Sequence, residues 1–104
     1  MNDKIIQMAT AYRVSQAVYA AAALRLGDHL AAGPKAATEL AGAVKAHAPS
    51  LHRLMRTLAS LGVLTERSDH RFALTPLGEA LKSDAPGSAR AAVLTLAGPA
   101  FWRA

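Results

Sequence analysis

The sequence contains no cysteine, which excludes disulfide bonds, thiolate nucleophiles and cysteine-ligated zinc sites. It also has no long apolar run near its start, where the segment MNDKIIQMATAYRV places Asp3 beside Lys4. A membrane-spanning helix needs about 20 consecutive apolar residues, and a signal peptide needs an apolar stretch after its basic residues. We therefore expect a cytoplasmic protein without a membrane partner.

Acidic residues are few, with seven against twelve basic residues and a net charge of +5. Clustered cations attract nucleic acid, but here they are scattered from Lys4 to Arg103 without a block of three. Apolar residues make up 52% of the 104 residues and charged residues 18%, as in ordinary globular proteins. These numbers predict one folded domain over residues 1–104, and they leave a nucleic-acid partner open.

The patterns that carry catalysis are missing. The glycines form no phosphate-binding loop, and Ser88 lacks the strand and second glycine of a nucleophile elbow, so it is interpreted as a helix cap. The histidines lie in separate segments without metal-ligand spacing: His29, His47, His52 and His70. We assign this chain no catalytic residue, no metal site and no cofactor site.

The first predicted helix carries a heptad seam. Asp3 can cap this helix, and its apolar residues recur at alternating steps of three and four, with Ser15 as the polar exception. They are Ile5, Met8, Tyr12, Tyr19, Ala22 and Leu26. A lone helix leaves such a seam exposed, and the alanines at 20–23 allow close approach of a second backbone. We predict a dimer interface along the seam; burial in the chain's own core would use the same residues.

The middle of the chain predicts a helix-turn-helix unit. Gly27 and Gly33-Pro34 are expected to bend or end helices, with a short helix over residues 28–31 between them. Amphipathic segments at 37–46 and 50–62 follow, separated by about four turn residues. Ser50 is expected to cap the second helix, and Gly62 to end it in a left-handed conformation.

A small β-hairpin and two further helices are expected after this unit. Residues 63–67 and 71–74 are β-capable, and the turn Ser68-Asp69-His70 separates them, which predicts a wing. Thr75-Pro76 predicts the start of another helix. A last helix is expected from about Ser88 to Leu96, with Gly98-Pro99 ending it.

Five segments together resemble a known family. They are Leu26–Leu30, Gly33-Pro34, Glu39–Ala41, Leu51–Leu64 and Phe72–Gly78. The chain resembles the N-terminal dimerisation domain of SAM-dependent small-molecule O-methyltransferases, which include plant caffeate and flavonoid enzymes and bacterial enzymes that tailor natural products. One departure is Ala36, where family members often have a Ser or Thr helix cap.

The resemblance implies a mainly α winged helix-turn-helix fold with a long N-terminal dimerisation helix and a small hairpin wing. It implies an intertwined homodimer that is not catalytic by itself. The parent enzyme would bind S-adenosyl-L-methionine and a small-molecule hydroxyl acceptor in a Rossmann-like domain after residue 104. One wall of the partner's substrate pocket would come from this chain, with Tyr12, Gln16, Phe101 and Trp102 as candidates; core or dimer packing is the alternative for these residues.

A winged-helix transcription regulator is the competing interpretation. The outer face of the second helix-turn-helix helix carries residues that could read a major groove: Arg53, Arg56, Thr57 and Ser60. However, both arginines also belong to the methyltransferase-like motif. The wing turn carries Asp69 where a phosphate contact would favour a cation. Nucleic acid is therefore the alternative partner.

Overall fold

Three helices make up the first third of the chain. The computed structural model describes residues 3–85 and 87–96, and its helices begin with α1 (Asp3–Thr10), α2 (Tyr12–Ala23) and α3 (Leu26–Leu30). α1 and α2 join at a bend at Ala11, where the Ala11 N–H donates to the Met8 carbonyl over 3.4 Å. The long N-terminal helix predicted from the heptad pattern is therefore present, and it is bent.

The end of α2 differs from the prediction at Gly27. The chain turns at Arg25, whose φ of 57° is left-handed, whereas Gly27 lies inside α3. A Cβ atom on Gly27 would lie 2.6 Å from the backbone carbonyl carbon and oxygen of Leu81. The expectation that Gly27 bends or ends a helix is wrong, because this glycine instead permits close backbone packing.

The predicted helix-turn-helix unit consists of α4 (Ala37–Val44) and α5 (Ala48–Ser60). Ala36 has no polar side chain to cap α4, but its backbone N–H donates to Glu39 Oε1 over 2.9 Å. α5 begins two residues before the predicted cap, because Pro49 fits the first turn of a helix. Ser50 is consequently inside the helix, and the prediction that it forms the cap is wrong.

The wing is a two-stranded antiparallel hairpin of β1 (Leu64–Glu66) and β2 (Phe72–Leu74). Leu64 pairs with Leu74, and Glu66 pairs with Phe72. Gly62, which precedes β1, has a φ of +81°, as predicted for a left-handed helix end. Lys35 adds an isolated antiparallel bridge to Phe72, so the wing is joined to the segment before α4.

One 3₁₀ turn and a final helix follow the wing. The helix predicted after Thr75-Pro76 is a single 3₁₀ turn at Gly78–Leu81, and Thr75 Oγ1 accepts a hydrogen bond from the Gly78 N–H over 3.1 Å. α6 (Arg90–Leu96) begins after Ser88, whose Oγ accepts from the Arg90 N–H over 3.3 Å. Gly98 and Pro99 lie outside the described residues.

The core lies between α2, α3, α4, α5 and the hairpin. Its largest fully buried side chains are Phe72, Leu26, Leu40, Met55 and Leu58. Each buried side chain of this size contributes about 1.5–3 kcal/mol of transfer free energy. This core fixes the position of α2. α1 joins the start of α2 at the bend at Ala11 and projects from there.

Candidate dimerisation surface

α1 presents large apolar side chains to solvent. Ile5 is 59% exposed and Met8 is 66% exposed, and the side chains of Ile6 and Tyr12 are exposed as well. None of the eight residues of α1 is buried in the part of the chain that the structure describes, and its main packing is against the start of α2. Helices shorter than about 12–15 residues are marginal in water without packing. We call Ile5, Ile6, Met8 and Tyr12 the N-terminal stripe; it needs a covering surface.

The predicted heptad seam is exposed in its first part and buried in its last part. Ile5, Met8 and Tyr12 are exposed, and Tyr19 is half-buried. Ala22 and Leu26, by contrast, are fully buried in the chain's own core. Their apolar surface is covered within one chain, so the interface proposed below does not depend on them.

A shallow groove follows the bend between α1 and α2. Tyr12 and Gln16, two of the four predicted substrate-lining residues, both line it. The other lining residues are Met8, Ala9, Ala11 and Ser15. Phe101 and Trp102 lie outside the described residues. The groove is mostly apolar, and Tyr12, Ser15 and Gln16 are the lining residues whose side chains carry polar groups.

A second apolar surface runs between α2 and α6. One half is lined by Val14, Ser15, Val18, Ala92, Val93 and Leu96. The other half shares Val18 and Val93 and adds Val63, Leu77, Ala80, Leu81 and Ala89. We call this surface the α2–α6 trough. The sequence interpretation missed it, although Val14 and Val18 stand at i and i+4 beside the seam and could have indicated a second apolar face.

Asp28 joins α3 to the segment after the 3₁₀ turn. Its carboxylate accepts hydrogen bonds from the Ser83 N–H over 2.8 Å and the Ser83 hydroxyl over 2.6 Å. These bonds, together with the charges of Arg25 and Arg90, lower the pKa of Asp28 below its usual 3.8. Arg90 Nε also donates to the Ala22 carbonyl over 2.9 Å. This pair of contacts holds α6 and the 3₁₀ turn against α2 and α3.

The α5 face proposed to read DNA is engaged in local contacts. Arg56 Nε lies 3.4 Å from Glu66 Oε1 on the wing. Thr57 Oγ1 donates to the Arg53 carbonyl over 3.0 Å, and Ser60 Oγ donates to the Thr57 carbonyl over 2.6 Å. Both hydroxyls are therefore used within the helix, and one of the two arginines is paired with a carboxylate.

The described residues contain no cluster of three or more metal-ligating side chains. Within those same residues, no helix has the length and apolar character needed to cross a bilayer. Three exposed and largely apolar features of the described residues are the N-terminal stripe, the groove at the bend and the α2–α6 trough. Such surfaces mark sites of protein or small-molecule contact.

The fold and these surfaces define a winged-helix dimerisation module. The chain belongs to the O-methyltransferase dimerisation domain family, whose model matches residues 6–84. A phenazine O-methyltransferase of Lysobacter antibioticus is 45% identical over 90 residues, which cover 86% of this chain and 26% of that protein.

Solved structures of methyltransferases share the fold. A methyltransferase of calicheamicin biosynthesis, in its SAH-bound form, has a TM-score of 0.84 and 42% identity, covering 95% of this chain and 29% of that one. The N,N-8-amino-8-demethyl-D-riboflavin dimethyltransferase from Streptomyces davawensis has a TM-score of 0.89 and 33% identity, covering 95% of this chain and 30% of that one. The chain spans about a quarter of the length of the curated relatives that it matches. These comparisons give the DNA-binding alternative no support.

Proposed function

We propose that this chain forms a homodimer and is the N-terminal, non-catalytic domain of a SAM-dependent O-methyltransferase. The observation that carries self-pairing is the exposure of α1. Among the described residues, none in α1 is buried, and the N-terminal stripe is open to solvent. A second copy offers the same apolar surface, so a two-fold contact can cover both stripes together. In such a dimer α1 crosses to the partner, because its own domain leaves it uncovered.

The methyltransferase part of the proposal is supported by the family and by the length of the relatives. Relatives named as methyltransferases match this chain over roughly a quarter of their length, so most of each lies outside the matched region. We infer a Rossmann-like catalytic domain after residue 104 that binds S-adenosyl-L-methionine and a small-molecule hydroxyl acceptor. Bacterial natural-product biosynthesis is the setting that the relatives' names suggest.

The groove at the bend is proposed as a wall of the partner's substrate pocket. Its support is that an aromatic ring, an amide and the Ser15 hydroxyl lie in a mostly apolar surface, since ligand pockets combine apolar walls with a few placed polar groups. Tyr12 would supply the flat apolar contact, and Gln16 would orient a polar atom of the acceptor. Phe101 and Trp102 remain predicted members of this wall.

Sedimentation equilibrium of two charge variants tests self-pairing. Met8→Glu places a charge in the N-terminal stripe, and we expect it to raise the dimer Kd at least about tenfold, because a buried unpaired charge opposes association. Gln7→Glu is the matched control, since it adds the same charge on the same helix outside the stripe, and we expect its Kd to change less than about threefold. Equal effects of the two variants would contradict the proposed interface.

A further inference from the structure

The bend between α1 and α2 coincides with an unusual set of hydrogen bonds around Thr10. The Thr10 hydroxyl donates to the Ile6 carbonyl over 2.9 Å and lies 3.4 Å from the Gln7 carbonyl. In a regular α-helix the Gln7 carbonyl accepts from the N–H four residues later, which belongs to Ala11. The Ala11 N–H instead donates to the Met8 carbonyl, three residues back, over 3.4 Å. The hydroxyl therefore occupies an acceptor that the helix backbone would otherwise use.

A side chain that enters the hydrogen-bond ladder of a helix is a recognised cause of bending. Beyond the bend, the Val14 N–H donates to the Ala11 carbonyl, again three residues back, over 3.0 Å. The backbone is thus tightened on both sides of Ala11. Proline and glycine, the other common causes of a bend, do not occur between residues 3 and 23. The Thr10 hydroxyl is the group that accounts for the bend.

Thr57 in α5 shows what a single bond of this kind does. Its hydroxyl donates to the Arg53 carbonyl, four residues back, over 3.0 Å. α5 nevertheless continues past Thr57 as an α-helix to Ser60. The contact that distinguishes Thr10 is its second one, with the carbonyl that the next N–H would use. One threonine bond is therefore tolerated in a helix, whereas the pair at Thr10 accompanies a bend.

The groove at the bend depends on this change of direction. Its lining residues all lie between Met8 and Gln16, two of them on α1 and three on α2. A straight α-helix is a convex cylinder, so one stretch of helix can line a groove only where its axis turns. Straightening the chain at Ala11 would flatten the groove and change how its two walls face each other.

We propose that Thr10 is a positioning residue for the acceptor substrate, because its hydroxyl bends the helix and the bend shapes the groove that carries Tyr12 and Gln16. This inference rests on the proposed substrate wall and names a residue that acts through it. Thr10 does not line the groove itself, so its effect is transmitted by the direction of α1.

Distances between two spin labels measure the bend directly. The chain has no cysteine, so labels can be attached through Lys4→Cys in α1 and Ala23→Cys at the end of α2, both at exposed positions. Thr10→Val removes the hydroxyl and keeps the size and branching of the side chain. We expect the distance to lengthen toward roughly 28 Å, the span of 19 residues in one straight helix. An excess of unlabelled protein restricts the measured distances to one chain.

Two further variants control this measurement. Thr10→Ser keeps the hydroxyl, and we expect it to retain the wild-type distance. Thr57→Val removes the corresponding hydroxyl from α5 and should also leave the distance unchanged. A folded Thr10→Val protein with the wild-type distance would overturn the role of Thr10, while the homodimer and the substrate wall would stand.

NMR titration with phenol, a simple aromatic hydroxyl compound, tests the effect on the groove. We expect phenol to shift the side-chain amide signals of Gln16, with a Kd at least about threefold higher in Thr10→Val than in the wild type and in Thr10→Ser. Shifts at the Leu96 amide, in the α2–α6 trough, should be the same in all three proteins. Equal Kd values at Gln16 would overturn the positioning role alone. If phenol does not shift Gln16 even in the wild type, the proposed substrate wall is wrong as well.

Discussion

At the scale of single residues, Gly27 in α3 packs closely against the backbone at the end of the 3₁₀ turn. Gly27→Ala would force a Cβ atom against the Leu81 backbone at 2.6 Å, and we expect a loss of about 1–3 kcal/mol in the free energy of unfolding. Gly42→Ala is the matched control, since Gly42 lies in α4 with no atom within 4 Å of its added Cβ. Alanine there should stabilise the helix by about 0.5–1 kcal/mol.

Urea denaturation at a fixed protein concentration measures both alanine variants, because self-association also contributes to apparent stability. The two substitutions are chemically identical and both lie in helices. We therefore expect the two variants to change the free energy of unfolding in opposite directions, because only the packing around the added Cβ atom differs. A Gly27→Ala protein as stable as the wild type would mean that α3 does not pack against the 3₁₀ turn as described.

Asp28 gives the domain a pH-dependent contact. Because its folded pKa is lowered below 3.8, its contribution to stability is fully present above that pH and is lost as the pH falls through the folded pKa. Asp28→Asn removes the charge and weakens the contact with Ser83, which should cost about 1 kcal/mol at pH 7. We expect the difference from the wild type to shrink below pH 3.8, measured by urea denaturation across the pH range. A difference that is constant with pH would contradict the charged contact.

Among the elements, the boundaries show what local sequence patterns can and cannot predict. The helix-turn-helix, the hairpin and the last helix follow from apolar periodicity and turn residues, which are local signals. α5 begins two residues earlier than the cap residue Ser50 predicts, because Pro49 fits the first turn of the helix. The role of Gly27 could not be predicted, since it depends on Leu81, which lies 54 positions further along the chain and meets it only in the folded protein.

At the same scale, α1 is the element whose stability we expect to depend on association. Its amide hydrogens should exchange rapidly in dilute solution and become protected as the protein concentration rises, because eight helical residues with no buried side chain are marginal. Amides in α5, whose Leu51, Met55 and Leu58 are buried, should be protected at every concentration. Hydrogen exchange followed by mass spectrometry measures both segments. Protection of α1 that does not vary with concentration would argue against a partner-covered helix.

At the scale of the whole molecule, the sequence predicted that the N-terminal helix has an apolar face. It did not predict how much of that face is buried within the chain. A heptad seam indicates that apolar side chains share one helix face, but periodicity cannot distinguish burial within the chain from burial against a second chain. The bend at Ala11 and the core around Leu26 make that distinction: the first part of the seam is exposed, and the last part is internal. The contact between Asp28 and Ser83 also joins distant segments, which is why no local pattern revealed it.

The molar mass of the wild-type chain at sedimentation equilibrium tests the central claim most directly. An exposed stripe on α1 that requires a second copy predicts twice the monomer mass at tens of micromolar protein, with dissociation on dilution. A single species of monomer mass over that whole concentration range would contradict the claim.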